Sequence, residues 1–94
     1  MPKSINHHYS LMISRAAASA LAEKLPETIA FAVFEFISGP LLDNPRVVGK
    51  PLRAPLAPAF AARRGVYRVI YLIDDGAKTV TVTDVSHRSS AYRP

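Results

Sequence analysis

Arg68, His87, Arg88 and Tyr92 are the side chains of this 94-residue chain whose types and order suit work on a phosphodiester. Arg68 stands inside Val66-Tyr67-Arg68-Val69-Ile70-Tyr71-Leu72-Ile73, a run otherwise apolar enough for a central strand. A buried, unpaired guanidinium costs on the order of several kcal/mol, so Arg68 belongs at a functional opening or beside a partner. Phosphate matches the planar fork of arginine, and a pentacoordinate phosphorane gains charge that nearby guanidiniums stabilise. A phenol has an ordinary pKa of about 10 and becomes a usable base where such cations lower it. An imidazole ordinarily titrates nearer neutrality than a phenol, so His87 is a competing acid–base candidate.

The elements that must position these groups follow from spacing and punctuation. Tyr9-Ser10-Leu11-Met12-Ile13 reads as a short strand with imperfect alternation. Ser14 can cap a helix running through Lys24-Leu25, since its hydroxyl can accept from a first-turn amide and the alanines that follow favour helix. Pro26 ends that helix and suits the start of the next, where Glu27 favours the positive end of the dipole. Ile29, Ala30, Val33, Phe34, Phe36 and Ile37 recur at three- and four-residue steps, which predicts one wide apolar face on this second helix. Gly39-Pro40 stops it. From Pro45 to Pro58 four prolines exclude a regular central strand or a helix interior, leaving an ordered connection.

Phe60 to Arg64, Val66 to Ile73 and Lys78 to His87 read as three strands, with Arg63 and Arg64 beside a tight hairpin at Gly65. Asp75-Gly76 predicts a two-residue type I′ turn. That turn opposes Arg68 to Thr83 and divides the sheet into two faces. Val66, Arg68, Ile70 and Leu72 with Thr79, Thr81, Val85 and His87 form the open face. Tyr67, Val69, Tyr71 and Ile73 with Lys78, Val80, Val82 and Asp84 face the helical hairpin. The expected fold is therefore α+β: an N-terminal strand, a helical hairpin, then an antiparallel β-sheet, in one domain over residues 1–94.

Charge agrees with an open basic face. Residues 46–94 carry nine Lys/Arg against three Asp, a net of +6, while residues 1–45 carry three cations against four carboxylates, a net of −1. With 49% hydrophobic and 20% charged residues the chain is not a disordered polycation, so its basicity is displayed on a fold and suits an anionic partner. There are no cysteines, which excludes disulfides and thiolate metal sites and is compatible with a reducing cytoplasm. The N-terminus lacks the apolar stretch of a signal peptide. Ile29 to Leu42 is the longest apolar stretch, is broken by Glu35 and Gly39-Pro40, and falls short of the ~20 residues of a membrane-spanning helix.

Several motifs fail on inspection. Gly49-Lys50 lacks the first glycine and the Ser/Thr of a phosphate-binding loop, which fall at Asn44 and Pro51. Asp84, Ser86 and His87 are hydrolase-triad residue types, but strand neighbours alternate faces and no nucleophile elbow surrounds the serine. His7-His8, even with His87, lacks partners at metal-ligand spacing, and no cofactor is implied.

Arg64-Gly65-Val66-Tyr67-Arg68-Val69-Ile70-Tyr71, Asp74-Asp75-Gly76, His87-Arg88 and Tyr92-Arg93 together resemble the C-terminal half of the RelE/ParE toxins of bacterial toxin–antitoxin modules. Leu25-Pro26, Asn44-Pro45 and Gly49-Lys50-Pro51-Leu52 are similar to recurring features upstream. The resemblance implies an mRNA endonuclease that cuts codons in the ribosomal A site, without metal, by attack of the ribose 2′-OH on the adjacent phosphate. It implies Arg68 at the phosphate, Arg88 near the leaving oxygen and Tyr92 as the candidate base, while Arg63, Arg64, Lys50 and Arg53 are read from their charge as RNA-binding cations. Guanidinium does not readily release a proton, so Arg88 is read as an electrostatic stabiliser. The implied partners are a cognate antitoxin in a hetero-oligomer, the ribosome and mRNA, in the cytoplasm and with no membrane. Lysines of the RelE pattern fall at about Ala59 and Ala61, leaving Arg63 as the nearest cation. The alternatives are a ParE-like inhibitor of DNA gyrase that cuts no RNA, and an inactive antitoxin-binding module.

Overall fold

The computed structural model describes residues 8–87. The chain forms β1 (Ser10–Ile13), α1 (Arg15–Ser19) running into a π-helical turn (Ala20–Lys24), and α2 (Glu27–Ile37). Two one-turn helices, α3 (Pro40–Asp43) and α4 (Pro45–Val48), each start on a proline, where the missing N–H is no loss. The strands β2 (Lys50–Pro51), β3 (Phe60–Arg64), β4 (Tyr67–Asp74) and β5 (Thr79–His87) complete the order. They join β1 in one five-stranded sheet, β1-β5-β4-β3-β2, antiparallel except for the parallel β1–β5 edge. This is the expected α+β arrangement.

One face of the sheet is closed by the helices. Val69 and Tyr71 of β4 and Val80, Val82 and Val85 of β5 pack with Ala17, Ala20, Val33, Ile37, Leu41 and Leu42 in a single buried cluster. Small side chains at 17 and 20 let the first helical segment lie close on β5. Ser14 caps α1 as its type predicts, its hydroxyl accepting from Ala17 N at 3.1 Å. Phe34 departs from expectation. Val33 and Ile37 take the buried stripe, and Phe34 is 46% exposed.

The β4–β5 register differs from the predicted one at two places, each with a local cause. The connection is four residues, Asp75 to Lys78, not two. The Asp74 carboxylate accepts from Ala77 N at 3.0 Å, and the left-handed residue is Lys78 at φ 54°, so Gly76 is not used as a type I′ centre. Further along, the register shifts between Ile70 and Tyr71. Thr83 is the extra residue. Its hydroxyl donates to the Ile70 carbonyl at 3.3 Å, and its own carbonyl accepts from the Ser14 hydroxyl at 3.0 Å. The residue that caps α1 therefore also pins this bulge.

A bulge reverses which side chains reach which face. Beyond it Arg68 stands opposite Ser86 rather than Thr83, and Ile70 opposite Asp84. Val85, expected on the open face, pairs with Val69 and is 2% exposed in the core. Asp84 moves the other way, onto the open face. His87 pairs with Tyr67 on the helix side, their rings edge-to-face at 5.5 Å.

Candidate nucleic-acid interface

The open face carries the basic residues in two rows across the sheet. The first row is Arg63, Arg68 and Ser86, since Arg63 pairs with Arg68 and Arg68 with Ser86. The second is Lys50, Ala61, Ile70 and Asp84, in direct succession from β2 to β5. A cleft of about 440 Å³ opens at the β2–β3–β4 end, lined by Lys50, Arg63 and Arg68 with Val48, Leu52 and Ala61. Three cations beside an apolar wall can hold a phosphate and cover part of the attached nucleoside.

Arg63 is exposed and Arg68 half-buried. Their strands are joined through Gly65, whose φ of +64° meets the demand of a tight hairpin, and so Arg63 and Arg68 become direct cross-strand neighbours. At the β5 end, the Ser86 hydroxyl donates to the Asp84 carboxylate at 3.1 Å. Asp84 makes that side of the face acidic. A polyanion crossing the open face therefore meets cations from β2 to β4 and a carboxylate at β5.

The remaining predicted site residues distribute as follows. Arg64 pairs with Tyr67, so it leaves the sheet on the side opposite Arg63. Arg53 is exposed on the proline-rich connection between β2 and β3. His87 is exposed and belongs by register to the helix side, away from the Arg68 row. Arg88 and Tyr92 lie outside the described residues. Ser86 and Asp84 join the Arg68 neighbourhood, a placement that the expected register did not give them. Among the described residues no group of three or more His, Asp or Glu is arranged to hold a metal ion.

A second, largely apolar surface lies on the helical hairpin. Ile13, Ala18, Leu21, Ala22, Ala30, Phe31 and Phe34 line a shallow groove between α1 and α2, with Glu27 at its rim. Phe31 is 65% exposed. Phe34, 46% exposed, adds a second aromatic ring to the same groove.

Comparison with known proteins places the whole assembly. A family model described as the ParE toxin of the type II toxin–antitoxin system, parDE, matches residues 4–92. The chain belongs to the RelE/ParE toxins of type II toxin–antitoxin systems. The toxin is 49% identical over 88 residues to Toxin RelE of Mycobacterium tuberculosis (strain ATCC 25618 / H37Rv), covering 94% of this chain and 90% of that protein. It is 53% identical over 70 residues to Toxin RelG of the same strain, covering 74% of this chain and 80% of that protein. Its fold matches a chain in the crystal structure of the toxin–antitoxin complex RelBE2 from M. tuberculosis with a TM-score of 0.81 and 48% identity, covering 85% of this chain and 98% of that one. No helix among the described residues of the toxin is long and apolar enough to cross a membrane.

Proposed function

We propose that this toxin is a ribosome-dependent mRNA endonuclease, acting in the cytoplasm and held inactive by a cognate antitoxin. The observation that carries this reading is the Arg63–Arg68 pair, two arginines opposed in register on the open face and lining one cleft with Lys50. Arginines paired across one face can grip an anion from both sides through their planar forks. A scissile phosphate is such an anion. As the ribose 2′-oxygen bonds to phosphorus, its proton passes to a base and the phosphorane gains charge that Arg68 is placed to stabilise. Breaking the bond to the 5′-oxygen, which takes up a proton from solvent water, then leaves a 2′,3′-cyclic phosphate and a 5′-hydroxyl. In this reading the base is Tyr92 rather than His87, because His87 stands on the opposite face from Arg68, and Arg88 steadies the leaving oxygen. Arg53 and Arg64, outside the cleft, meet the flanking RNA or the ribosome.

A ParE-like action on DNA gyrase is the second reading, favoured by the family description and by alanine at positions 59 and 61. An inactive antitoxin-binding module is the third outcome of the same test. Expression of the toxin with mapping of mRNA 5′ ends on translating ribosomes, beside a gyrase supercoiling assay, separates them. Codon-phased cuts that disappear in Arg68→Ala support the endonuclease, and intact mRNA with inhibited gyrase overturns it in favour of the second reading. Neither effect, with tight antitoxin binding, overturns both.

A further inference from the structure

We propose that Lys50 is the third phosphate-binding cation of the cleft, interchangeable with a lysine at position 61, and that Gly49 and Tyr71 are positioning residues that hold it there. The inference rests on the polyanion reading of the cleft given above. Position 61 lies two residues before Arg63 on the same face of β3, yet it is alanine and supplies no charge. Lys50 is its direct partner on β2. Side chains so opposed stand about 5 Å apart at Cβ, so an ammonium carried from position 50 reaches the space that one carried from position 61 would occupy. Lys50 and Arg68 accordingly line one cleft from strands that are not neighbours.

A strand of two residues cannot hold Lys50 by its own ladder. Pro51 has no N–H to give, and among the described residues no strand pairs with the other side of β2. What fixes it is a close approach. The buried Tyr71 hydroxyl donates to the Pro45 carbonyl at 2.5 Å, tying α4 to the sheet. Gly49, at the end of α4, lies against that same hydroxyl. A Cβ at position 49 would overlap it and would come within 2.7 Å of the Ala61 carbonyl oxygen, which is backbone and cannot yield. Leu52 N, donating to the Ala59 carbonyl at 2.9 Å, closes the far side of β2. Glycine at 49 is therefore what allows Lys50 to come down beside β3.

The test is binding of a labelled single-stranded oligoadenylate RNA by the full chain over a range of KCl concentrations, with circular dichroism confirming each variant is folded. Lys50→Ala is expected to lower the slope of log affinity against log salt by about 0.7 and to weaken binding about fourfold near 0.15 M salt. Lys50→Arg keeps both. Adding Ala61→Lys to Lys50→Ala restores the slope, which a purely structural role for Lys50 would not allow. Gly49→Ala lowers the slope although Lys50 is present, and Ala61→Lys restores it there too, because β3 is held independently of β2. The proposal is overturned if Lys50→Ala binds like wild type while Arg68→Ala is weakened, or if folded Lys50→Ala is not rescued by Ala61→Lys. If wild type and Arg68→Ala bind equally, the polyanion reading of the cleft falls, and this inference falls with it.

Discussion

Arg63 and Arg68 stand directly opposite one another across β3 and β4, on the face of the sheet that the helices leave open. Arg63 is exposed, so its side chain adds little to the packing that holds these strands together. Neighbouring positions show that the strands do not need charge there, since Ala62–Val69 pack the core one step along. In the proposed reading the two arginines serve RNA binding. Arg63→Ala should therefore leave the thermal midpoint nearly unchanged, while weakening RNA binding and flattening its salt dependence. A variant that binds RNA normally but melts lower would show that Arg63 is structural instead.

Asp84 sets the other limit of the same surface. It lies in the row of Lys50, Ala61 and Ile70 and accepts from the Ser86 hydroxyl, an interaction that an asparagine carbonyl can retain. A carboxylate here repels a phosphate that strays toward β5. Asp84→Asn should raise affinity for single-stranded RNA several-fold at low salt, with the advantage shrinking as salt is added, as filter binding at two ionic strengths can measure. Weaker binding by the folded variant would assign Asp84 to organising the cations.

How much of this was legible from the residues depends on what each signal measures. The apolar alternation of Val69, Tyr71, Val80 and Val82 gave the core face correctly, because burial enforces it. Arg68 on the open face followed from the same alternation. Its partner did not. The register was anchored on Asp75-Gly76, yet the Asp74 carboxylate and Lys78 form a longer turn, and the bulge at Thr83 then shifts the rest. The bulge did leave a trace in the spacing, since the buried valines run 80, 82, 85, a step of two and then of three. Lys50 was recognisable as basic but not as a neighbour of Arg63 and Arg68. That adjacency depends on the approach of Gly49 to Tyr71, a tertiary contact with no local pattern.

At the far end of the sheet, acid should expose a different dependence. Arg46 grips Asp75 with two hydrogen bonds of 2.9 and 2.8 Å, and the Tyr9 hydroxyl donates to the same carboxylate at 2.6 Å. The Arg46 guanidinium first, and the Tyr9 hydroxyl second, hold the Asp75 carboxyl down at about 2, from an ordinary 3.8. A carboxyl whose pKa is lower in the folded chain stabilises it above the unfolded value, and that stabilisation is lost as pH falls toward the folded one. The loss should therefore run from about pH 4 down to about pH 2. Arg46 and Asp75 are solvent-exposed, so the effect should be small and should shrink with added salt. Thermal melts of Asp75→Asn across this range should be flatter than wild type, and parallel curves for the two would remove Asp75 from the acid response.

The α2 helix presents two faces whose substitution should give opposite results. Val33 and Ile37 are fully buried, whereas Phe31 and Phe34, on the same helix, lie 65% and 46% exposed in the groove against α1. Replacing Val33 by serine removes core packing and leaves a hydroxyl to satisfy, so it should lower stability by about 2 kcal/mol or more. Phe31→Ser and Phe34→Ser remove surface that water already reaches, so the midpoint should hardly move. If the antitoxin seats apolar side chains in this groove, those aromatic rings are its natural anchors, and losing one should weaken the complex by on the order of tenfold to a thousandfold. Titration calorimetry of the cognate antitoxin against each folded variant checks this. Unchanged affinity in both would move the antitoxin contact away from the hairpin, while loss of affinity in Phe31→Ser and Phe34→Ser with intact RNA binding would separate the apolar groove from the basic cleft.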